Sequence, residues 1–397
     1  MRSTTFDATL GIEESDAPFG SRRTPDEWDS LSMDCAARTR YEVRFGESIG
    51  ESLAAAVGDR KVLVVTTPTV HRLHGSAIRA ALRGTNTVMT LVLEAREETK
   101  SVDFVQSICA EALKHGMNRR GLLISFGGGV CSDLVTLSAS LIRRGIGHIR
   151  VPTTLIGQID AGIGLKGAVN FAGKKSFLGC FHPPEQVLID PAFLQSLPRR
   201  FLVSGLAEAI KMGVARDARL FELIESHGLP LVMSGFDEPG AEGRELLQRS
   251  IWAMLDELRA NPYEDQTYER LVDFGHTFSP TLEAALGFEI THGEAVGIDV
   301  ALSSAIAKTL RLIDAGVWER IVNALRTVSL PVFSSRLDLR LCADALVEAC
   351  RHRGGSINLV VPAGIGRSTF LRRRNEVPDE VLEEALVLLA AQAAADA

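Results

Sequence analysis

Three side chains in the second half of the sequence have the types needed to hold a catalytic metal ion. Glu208 is followed three residues later by Lys211, so both lie on one side of a predicted helix. His276 and His292 come later, with 15 residues between them. Two histidines and a carboxylate suit a zinc site that keeps one position open for a substrate oxygen. Each histidine alone also suits a helix cap or a core position, so the spacing leaves both interpretations open.

A glycine-rich turn in the first half suits a phosphate-bearing cofactor. In GGGVCSD three glycines close an apolar run and open a helical pattern: Gly127, Gly128 and Gly129. Glycines let backbone approach a pyrophosphate, and a helix N-terminus favours an anion. The spacing is not G-x-G-x-x-G, however, and it suits a plain tight turn equally well. Asp133 is either an N-cap, the simpler interpretation, or a ribose contact.

A second polar loop, VPTTLIGQIDAG over 151–162, follows a short apolar run. Its Thr153 and Thr154 offer hydroxyl groups to a cofactor or, alternatively, cap the next helix. Two such loops in one α/β region favour a bound dinucleotide over an isolated turn.

Cations that can bind an anionic substrate recur around predicted loops and helix starts: Arg143, Arg144, Lys166, Lys174, Lys175 and Lys211. Arginine binds phosphate through two parallel hydrogen bonds and lysine binds it as a point charge. Most such lysines are simply solvated. Lys166 differs, because it stands in a glycine-rich, weakly polar stretch where a charge needs a partner. Asp160, six residues earlier, is the candidate partner.

Strands and helices alternate over the first half, as a doubly wound α/β sheet requires. Apolar runs predict strands at 61–67, 87–94 and 121–129, and amphipathic patterns predict helices at 71–84, 102–116 and 133–145. Residues 1–40 are polar and aperiodic, which indicates a flexible N-terminal arm.

From about Leu197 onward, helical periodicity dominates, over 204–228, 243–261 and 291–312. A late strand is expected at 356–366, and an Ala-rich helix that frays is expected at 383–397. The sequence therefore predicts a Rossmann-like nucleotide-binding domain over 41–197 and a mostly helical metal and substrate domain over 198–397.

The composition narrows the function classes. The 397 residues include 43 Lys plus Arg and 50 Asp plus Glu, for a net charge of −7, with 46% apolar and 23% charged residues. Such a mildly acidic chain argues against nucleic acid or an anionic membrane as a partner. No apolar stretch reaches the length of a membrane span or a secretory signal, and the six cysteines form no C-x-x-C pair. We therefore expect a cytoplasmic protein with reduced thiols.

Seven motifs, taken in order, resemble the sugar phosphate cyclases, the dehydroquinate synthase superfamily. They are GGGVCSD (127–133), RRG (143–145), VPTTLIGQIDAGIGLKGAVN (151–170), GKKSFLGCFHPP (173–184), GLAEAIK (205–211), DFGHTFSP (273–280) and HGEAV (292–296). Glu97 and Lys100 match the family's E-x-x-K nucleotide contact. The resemblance covers roughly residues 40–370. It implies an α/β nucleotide-binding domain followed by a mainly helical metal-binding domain.

The resemblance also implies the cofactors and the residues that serve them. It implies a bound NAD and one divalent metal ion, zinc or cobalt, held by Glu208, His276 and His292. It implies that Arg144, Lys166, Lys175 and Lys211 serve the substrate or its phosphate, with Asp160 beside them. A homodimer is the expected assembly.

Departures from the family pattern point to a particular branch. Dehydroquinate synthases have an Arg, which holds the substrate carboxylate, four residues before the Asn of an N-x-G-H motif; this sequence has Glu269 and Asp273 at those positions. An anion there repels a carboxylate by about 1 kcal/mol even when well solvated. A family His is Pro280 here, and a family Lys is Leu255. The pattern thus resembles the 2-epi-5-epi-valiolone synthases, which cyclise sedoheptulose 7-phosphate. Ser176, where many relatives have Asn, leaves a sister 2-epi-valiolone synthase open.

The chemistry implied by this resemblance has no net oxidation. The substrate is oxidised transiently with NAD, loses phosphate by β-elimination, is reduced again, and closes its ring by an intramolecular aldol reaction. Three alternatives remain beside it. A dehydroquinate synthase acts on an aldonate, a glycerol dehydrogenase-like polyol dehydrogenase releases NADH without phosphate, and a decayed nucleotide-binding regulator catalyses nothing. The lysine set argues against the polyol dehydrogenase, and the intact Glu208, His276 and His292 argue against decay.

Overall fold

The computed structural model describes residues 40–46, 49–83, 85, 88–236, 240–287 and 289–394. The arm predicted over 1–40 therefore lies outside the described residues, apart from residue 40. The predicted helix end at Gly84 also lies outside them. Within the described ranges, no helix is long and apolar enough to cross a membrane.

A parallel sheet of six strands frames the first half of the chain. Its strands are β1 (Glu42–Phe45), β2 (Val62–Thr66), β3 (Val88–Val92), β4 (Leu122–Gly127), β5 (Gly147–Pro152) and β8 (Gln186–Ile189), in the spatial order β1-β8-β5-β4-β2-β3. β2 and β4 are buried throughout, which is why they are continuous apolar runs in the sequence. The chain leaves β2 toward β3 and leaves β4 toward β5, in opposite directions. The carboxyl ends of β2 and β4 therefore form a topological switch point, where open α/β sheets bind ligands.

The helices of this half are α1 (Ile49–Val57), α2 (Pro68–Ala81), α3 (Val102–Lys114) and α4 (Gly129–Leu141). Two of them begin earlier than predicted. α2 starts at Pro68, because proline suits the first helical position, where no N–H partner is needed. α4 starts at Gly129 within the glycine run, and ends before Arg143 and Arg144, which adopt positive φ of 54° and 69°.

An antiparallel hairpin, which the sequence did not predict, separates β5 from β8. It consists of β6 (Lys166–Phe171) and β7 (Lys174–Phe181). β6 packs so closely on α4 that a Cβ on Gly167 would lie 2.6 Å from Cβ of Thr136. β7 is largely exposed, so neither strand shows the buried apolar pattern by which the larger sheet was predicted.

The second half is mainly helical, as predicted. Its helices are α5 (Arg199–Arg216), α6 (Ala218–Met233), α7 (Ala241–Ala260), α8 (Ser279–Ala285), α9 (His292–Thr309), α10 (Ala315–Thr327), α11 (Leu339–His352) and α12 (Asp379–Ala394). The helical pattern over 204–228 is interrupted at Asp217, which is extended and accepts a hydrogen bond from Leu220 N at 3.0 Å. That side chain caps α6 and so separates it from α5.

One late hairpin completes the second half. The strand expected at 356–366 is β9 (Leu359–Gly364), and it pairs with an unpredicted β10 (Arg367–Leu371). Apolar packing is continuous between the halves: Ile189 of β8 belongs to the same buried cluster as Leu206 of α5 and Val300 of α9. This cluster joins the two halves, and two further buried clusters lie within the first half, around its sheet.

Candidate active site

Glu208, His276 and His292 come together in the helical half. Nε2 of His292 lies 3.1 Å from Oε1 of Glu208, and Nε2 of His276 lies 3.6 Å from the same oxygen. The two imidazole rings meet edge to face, with centroids 5.2 Å apart. One ligand atom from each residue lies within 4.8 Å of the others. These separations fit two nitrogens and one oxygen around a single divalent ion.

Local sequence places His292 at the cluster. His292 is the first residue of α9, and the preceding Thr291 forms a capping box with Glu294. Gly293 follows because α9 begins against α5, where a Cβ would lie 2.0 Å from the carbonyl oxygen of Ser204. Ser204 Oγ accepts a hydrogen bond from Gly293 N at 3.0 Å. This contact ties the start of α9 to the helix that carries Glu208.

The loop that carries His276 is held by backbone and by one buried carboxylate. Gly275 has φ +76° and turns the chain into the loop. Asp299 of α9 accepts hydrogen bonds from the N–H groups of Phe278 and Ser279, at 2.5 Å and 2.8 Å. Nδ1 of His276 lies 3.1 Å from the carbonyl oxygen of Phe274 and donates to it, which leaves Nε2 facing Glu208.

Lys211 lies buried between two carboxylates beside the cluster. Its Nζ is 2.8 Å from Oδ2 of Asp160 and 2.6 Å from Oε2 of Glu208. Burial alone lowers the pKa of the Lys211 amine, but the two carboxylates outweigh burial and raise it. Lys211 is therefore a fixed cation near neutral pH, and it also holds the pKa of Glu208 well below its usual range.

The donor set fits a metal ion for a further reason. Although Oε2 of Glu208 lies close to Lys211, its alignment falls outside hydrogen-bond geometry, so this buried oxygen keeps acceptor capacity. Burial and the Lys211 cation lower the pKa of His276 to about 4, which leaves the imidazole neutral. Burial also lowers the pKa of His292, but hydrogen bonds to Glu208 and Glu283 outweigh burial and raise this pKa to about 9. Metal binding there therefore displaces a proton.

Lys166 does not pair with Asp160, so that prediction is wrong. Its Nζ lies 2.5 Å from Oε1 of Glu264, and its side chain is half exposed, whereas Asp160 is paired with Lys211. The physical reason is that Lys166 is the exposed first residue of β6 and reaches Glu264 of the helical half, while the buried Lys211 already occupies Asp160.

The two acidic departures from the family pattern are both neutralised. Oδ1 of Asp273 lies 3.7 Å from Arg270, and Oδ2 lies 3.6 Å from the buried Arg353. Burial raises the pKa of Asp273, but these arginines outweigh it and lower the pKa. Glu269 accepts from Arg372 through both oxygens, at 2.5 Å and 3.0 Å. Repulsion of a carboxylate by these anions is therefore weaker than the sequence suggested.

Lys175 and Arg144 occupy different surroundings. Lys175 Nζ lies 2.8 Å from Oε2 of Glu283, a residue that sequence reasoning missed. Arg144 is exposed in the turn after α4, at the helix end away from the glycines, and its side chain pairs with no described residue. The structure thus brings Lys211 and Asp160 to the metal cluster but does not bring Arg144 there within this chain.

The glycine turn and the threonine loop meet at the carboxyl end of β4. Thr153 N donates to Gly127 O at 3.0 Å, and a Cβ on Gly128 would lie 3.0 Å from Cγ2 of Thr154. Thr154 Oγ1 accepts from Gly157 N at 3.1 Å, so it caps the turn that leads to Asp160. The turn begins α4 with its N–H groups unpaired by any side-chain cap, which suits an anionic ligand.

Asp133 is not an N-cap, because α4 begins before it and Gly128 occupies the cap position. Its Oδ2 instead lies 2.8 Å from Nζ of Lys100, which is also 3.1 Å from Oε1 of Glu97. Burial lowers the pKa of Lys100, but the two carboxylates outweigh it and raise the pKa. The E-x-x-K motif and the glycine helix are therefore joined by one buried ammonium group.

Arg150 is a second residue that sequence reasoning missed. This fully buried arginine of β5 donates to Thr136 Oγ1 and to the carbonyl oxygens of Ala161, Gly162, Gly164 and Lys166. It thereby fixes the segment between Asp160 and Lys166. A lone charge inside the otherwise apolar HIRVP strand was the signal that could have revealed it.

Known families and proteins match most of this chain. Residues 90–204 match the family profile described as 3-dehydroquinate synthase N-terminal, and 205–352 match 3-dehydroquinate synthase C-terminal. The chain is 39% identical to 2-epi-5-epi-valiolone synthase of Streptomyces glaucescens, over 94% of this chain and 96% of that protein. It is 30% identical to 3-dehydroquinate synthase of Shewanella sp. (strain MR-4), over 90% of this chain and 98% of the relative.

A solved structure extends the likeness to three dimensions. ValA, the 2-epi-5-epi-valiolone synthase of Streptomyces hygroscopicus subsp. jinggangensis 5008, determined with NAD+ and Zn2+ bound, superposes with a TM-score of 0.86 at 37% identity. The match covers 91% of this chain and all of that one. The predicted fold class is confirmed, while the individual site residues, the domain limits, the homodimer and the cytoplasmic location stay predictions. The chain belongs to the dehydroquinate synthase-like superfamily of sugar phosphate cyclases, as its motifs predicted.

Proposed function

We propose that this cyclase converts sedoheptulose 7-phosphate to 2-epi-5-epi-valiolone and inorganic phosphate, using NAD and a divalent metal ion. The 39% identical relative and the 37% identical solved structure both carry that activity in their names, and the latter was determined with NAD+ and Zn2+. The reaction has no net oxidation, because the cyclitol differs from the sugar phosphate only by loss of phosphoric acid.

The observation that carries the substrate choice concerns the described residues at the positions where dehydroquinate synthases hold the carboxylate. Three of the four departures from the dehydroquinate synthase pattern are engaged elsewhere: Leu255 packs against the core, Glu269 is bound to Arg372, and Pro280 lies in the first turn of α8. None of these side chains offers a cation or a hydrogen-bond donor to a substrate carboxylate. A hydroxymethyl end therefore suits this position better than an aldonate.

In this proposal NAD and the metal ion bind at different sites. Gly127 to Gly129, Thr153 and Thr154 hold NAD at the switch point of the sheet, with Glu97, Lys100 and Asp133 beside it. Glu208, His276 and His292 hold the metal ion. When bound, NAD supplies reversible oxidation and the ion supplies Lewis acidity at the substrate oxygens.

The other charged residues orient the substrate. Lys211, kept protonated by Asp160 and Glu208, donates hydrogen bonds to substrate oxygens and is unsuited to accept a proton. Asp273 remains an anion between Arg270 and Arg353, and it accepts hydrogen bonds from substrate hydroxyls. Lys166 attracts the phosphate. With Pro280 in place of a histidine, one side-chain base fewer is available near the metal.

The test is to incubate the purified 397-residue chain with sedoheptulose 7-phosphate, NAD and Zn2+ or Co2+. We expect release of inorganic phosphate without net NADH, and a nuclear magnetic resonance spectrum of the product that matches 2-epi-5-epi-valiolone. Ethylenediaminetetraacetate should abolish phosphate release, and added metal should restore it. A parallel reaction with 3-deoxy-arabino-heptulosonate 7-phosphate should release none.

Each alternative outcome identifies a different enzyme. Phosphate release from the aldonate would make the protein a dehydroquinate synthase. Accumulating NADH without phosphate would make it a polyol dehydrogenase, and a 2-epi-valiolone spectrum would identify the sister cyclase. Unchanged activity after complete metal removal would overturn the metal site.

A further inference from the structure

A chain of three charged groups leads away from the metal cluster toward the first half of the molecule. Nδ1 of His292, the nitrogen remote from Glu208, lies 2.9 Å from Oε1 of Glu283. The second oxygen of Glu283 lies 2.8 Å from Nζ of Lys175. Both contacts are hydrogen bonds as well as ion pairs. The side chain of Glu283 is only 3% exposed, so its carboxylate is largely shielded from bulk water.

This arrangement fixes the orientation of His292. A carboxylate beside Nδ1 accepts a hydrogen bond from the Nδ1–H group, so the lone pair of the neutral imidazole is left on Nε2, toward Glu208. His276 reaches the same result with a backbone carbonyl, since its Nδ1 donates to Phe274 O. A charged acceptor polarises an imidazole more strongly than a carbonyl does, so His292 depends on a side chain where His276 depends on the main chain.

Lys175 gives Glu283 the cation that a buried carboxylate requires. It lies on β7 of the hairpin, 108 residues from Glu283 in sequence, and its side chain is 28% exposed. An unpaired carboxylate at the depth of Glu283 would be costly, and it would take up a proton or turn toward solvent. The neighbouring Lys174 instead pairs with Glu348 on the surface, where its side chain is 61% exposed.

We propose that Glu283 positions the metal ligand His292, and that Lys175 positions Glu283, so that the β6–β7 hairpin of the nucleotide half sets the metal affinity of the helical half. This inference rests on the metal site of the proposed function. It gives Lys175 a positioning role in place of the direct contact with substrate that the motif implied. It also explains why Glu283, an acidic residue in the apolar segment PTLEAAL, is buried.

The test measures metal affinity without substrate, by competition between the full-length apoprotein and a chromophoric chelator for Zn2+. Glu283→Gln keeps a carbonyl acceptor but loses the charge, and we expect affinity to fall about 10- to 100-fold. Lys175→Met keeps the aliphatic stem, and we expect a smaller fall of about fivefold, in keeping with a partly exposed ion pair. Lys174→Met is the matched control and should bind Zn2+ like the wild type.

The double variant tests the order of the chain. Once Glu283 is uncharged, Lys175 has no carboxylate to pair with, so E283Q/K175M should bind Zn2+ no more weakly than E283Q alone. The absorption bands of bound Co2+ should shift in E283Q and stay unchanged in K174M, a readout that a fold defect elsewhere would not produce. Thermal unfolding of each apoprotein checks that the variants are folded.

The outcomes separate this inference from the proposed function. Wild-type affinity in E283Q overturns the inference and leaves the cyclase assignment standing. A K175M variant that matches the wild type while E283Q is weakened overturns the link to the hairpin. A wild-type chain that binds no Zn2+ overturns both the inference and the metal site. Phosphate release from sedoheptulose 7-phosphate tests the assignment independently.

Discussion

The nucleotide turn and the metal cluster are built by opposite means. At the turn, absent side chains shape the site: Gly127 and Gly128 leave room that a Cβ would fill, at 2.9 Å from Cys131 and 3.0 Å from Thr154. At the cluster, charges shape the site: Glu208 is surrounded by Lys211 and two histidines. The turn should therefore be sensitive to added volume, whereas the cluster should be sensitive to lost charge.

The largest effect is expected from removing the one carboxylate of the metal cluster. In Glu208→Gln an amide of the same size replaces the anion, so volume is kept while the charge is lost. Metal binding then fails, and phosphate release from sedoheptulose 7-phosphate should fall on the order of 10³-fold or more. Metal content by plasma emission spectrometry and a phosphate assay measure the two effects.

A matched control for this variant is Glu222→Gln on the exposed face of α6, where the carboxylate lies 3.9 Å from Arg219. That change should alter neither metal content nor rate. Full metal content in Glu208→Gln would show that the histidines suffice, and the comparison between charge and volume would then fail at its first step.

A smaller and more selective effect is expected from volume added at the turn. Gly128→Ala brings a methyl group against Cγ2 of Thr154. Overpacking of this kind costs about 1–3 kcal/mol of folding free energy. Because the overpacked turn is also the proposed NAD site, we expect NAD affinity to fall about tenfold or more while Zn2+ affinity is unchanged. Calorimetric titration of the apoprotein with NAD, and chelator competition for Zn2+, measure both quantities.

A second substitution can reverse this effect. Thr154→Ser removes Cγ2 but keeps the hydroxyl that accepts from Gly157 N, so the double variant G128A/T154S should recover most of the lost NAD affinity. Gly46→Ala, where no atom lies within 4 Å of the added Cβ, should leave NAD binding unchanged. Tight NAD binding by Gly128→Ala would place the cofactor elsewhere.

The difference between fully buried and partly exposed elements explains how much of the fold could be predicted from the sequence. β2 and β4 were predicted because both faces are buried and the apolar run is unbroken. The strands β6, β7 and β10 were not predicted, because partly exposed strands do not form an unbroken apolar run. The break at Asp217 was missed because a cap interrupts a helix without interrupting its apolar pattern.

The candidate site shows more clearly what could not be predicted from the sequence. Residue types and motifs identified Glu208, His276 and His292, but proximity along the chain misassigned the partner of Lys166. The actual partner of Lys166 is Glu264. This ion pair and the pair of Lys175 with Glu283 each join residues about 100 positions apart in sequence. Such pairs depend on which elements pack together, and this information becomes available only from the fold.

The smallest effect is expected from Glu269, which lies at the edge of the site rather than in it. Its exposed pair with Arg372 contributes little to the free energy of unfolding. Glu269→Arg sets two guanidinium groups against each other, so the new side chain turns to solvent instead of forming a carboxylate clamp. The free energy of unfolding should fall slightly, and E269R/R372E should recover it. Phosphate release from sedoheptulose 7-phosphate should not rise in the single variant. If 3-deoxy-arabino-heptulosonate 7-phosphate became a substrate, this one charge would set substrate choice, and the surface pair would belong to the active site.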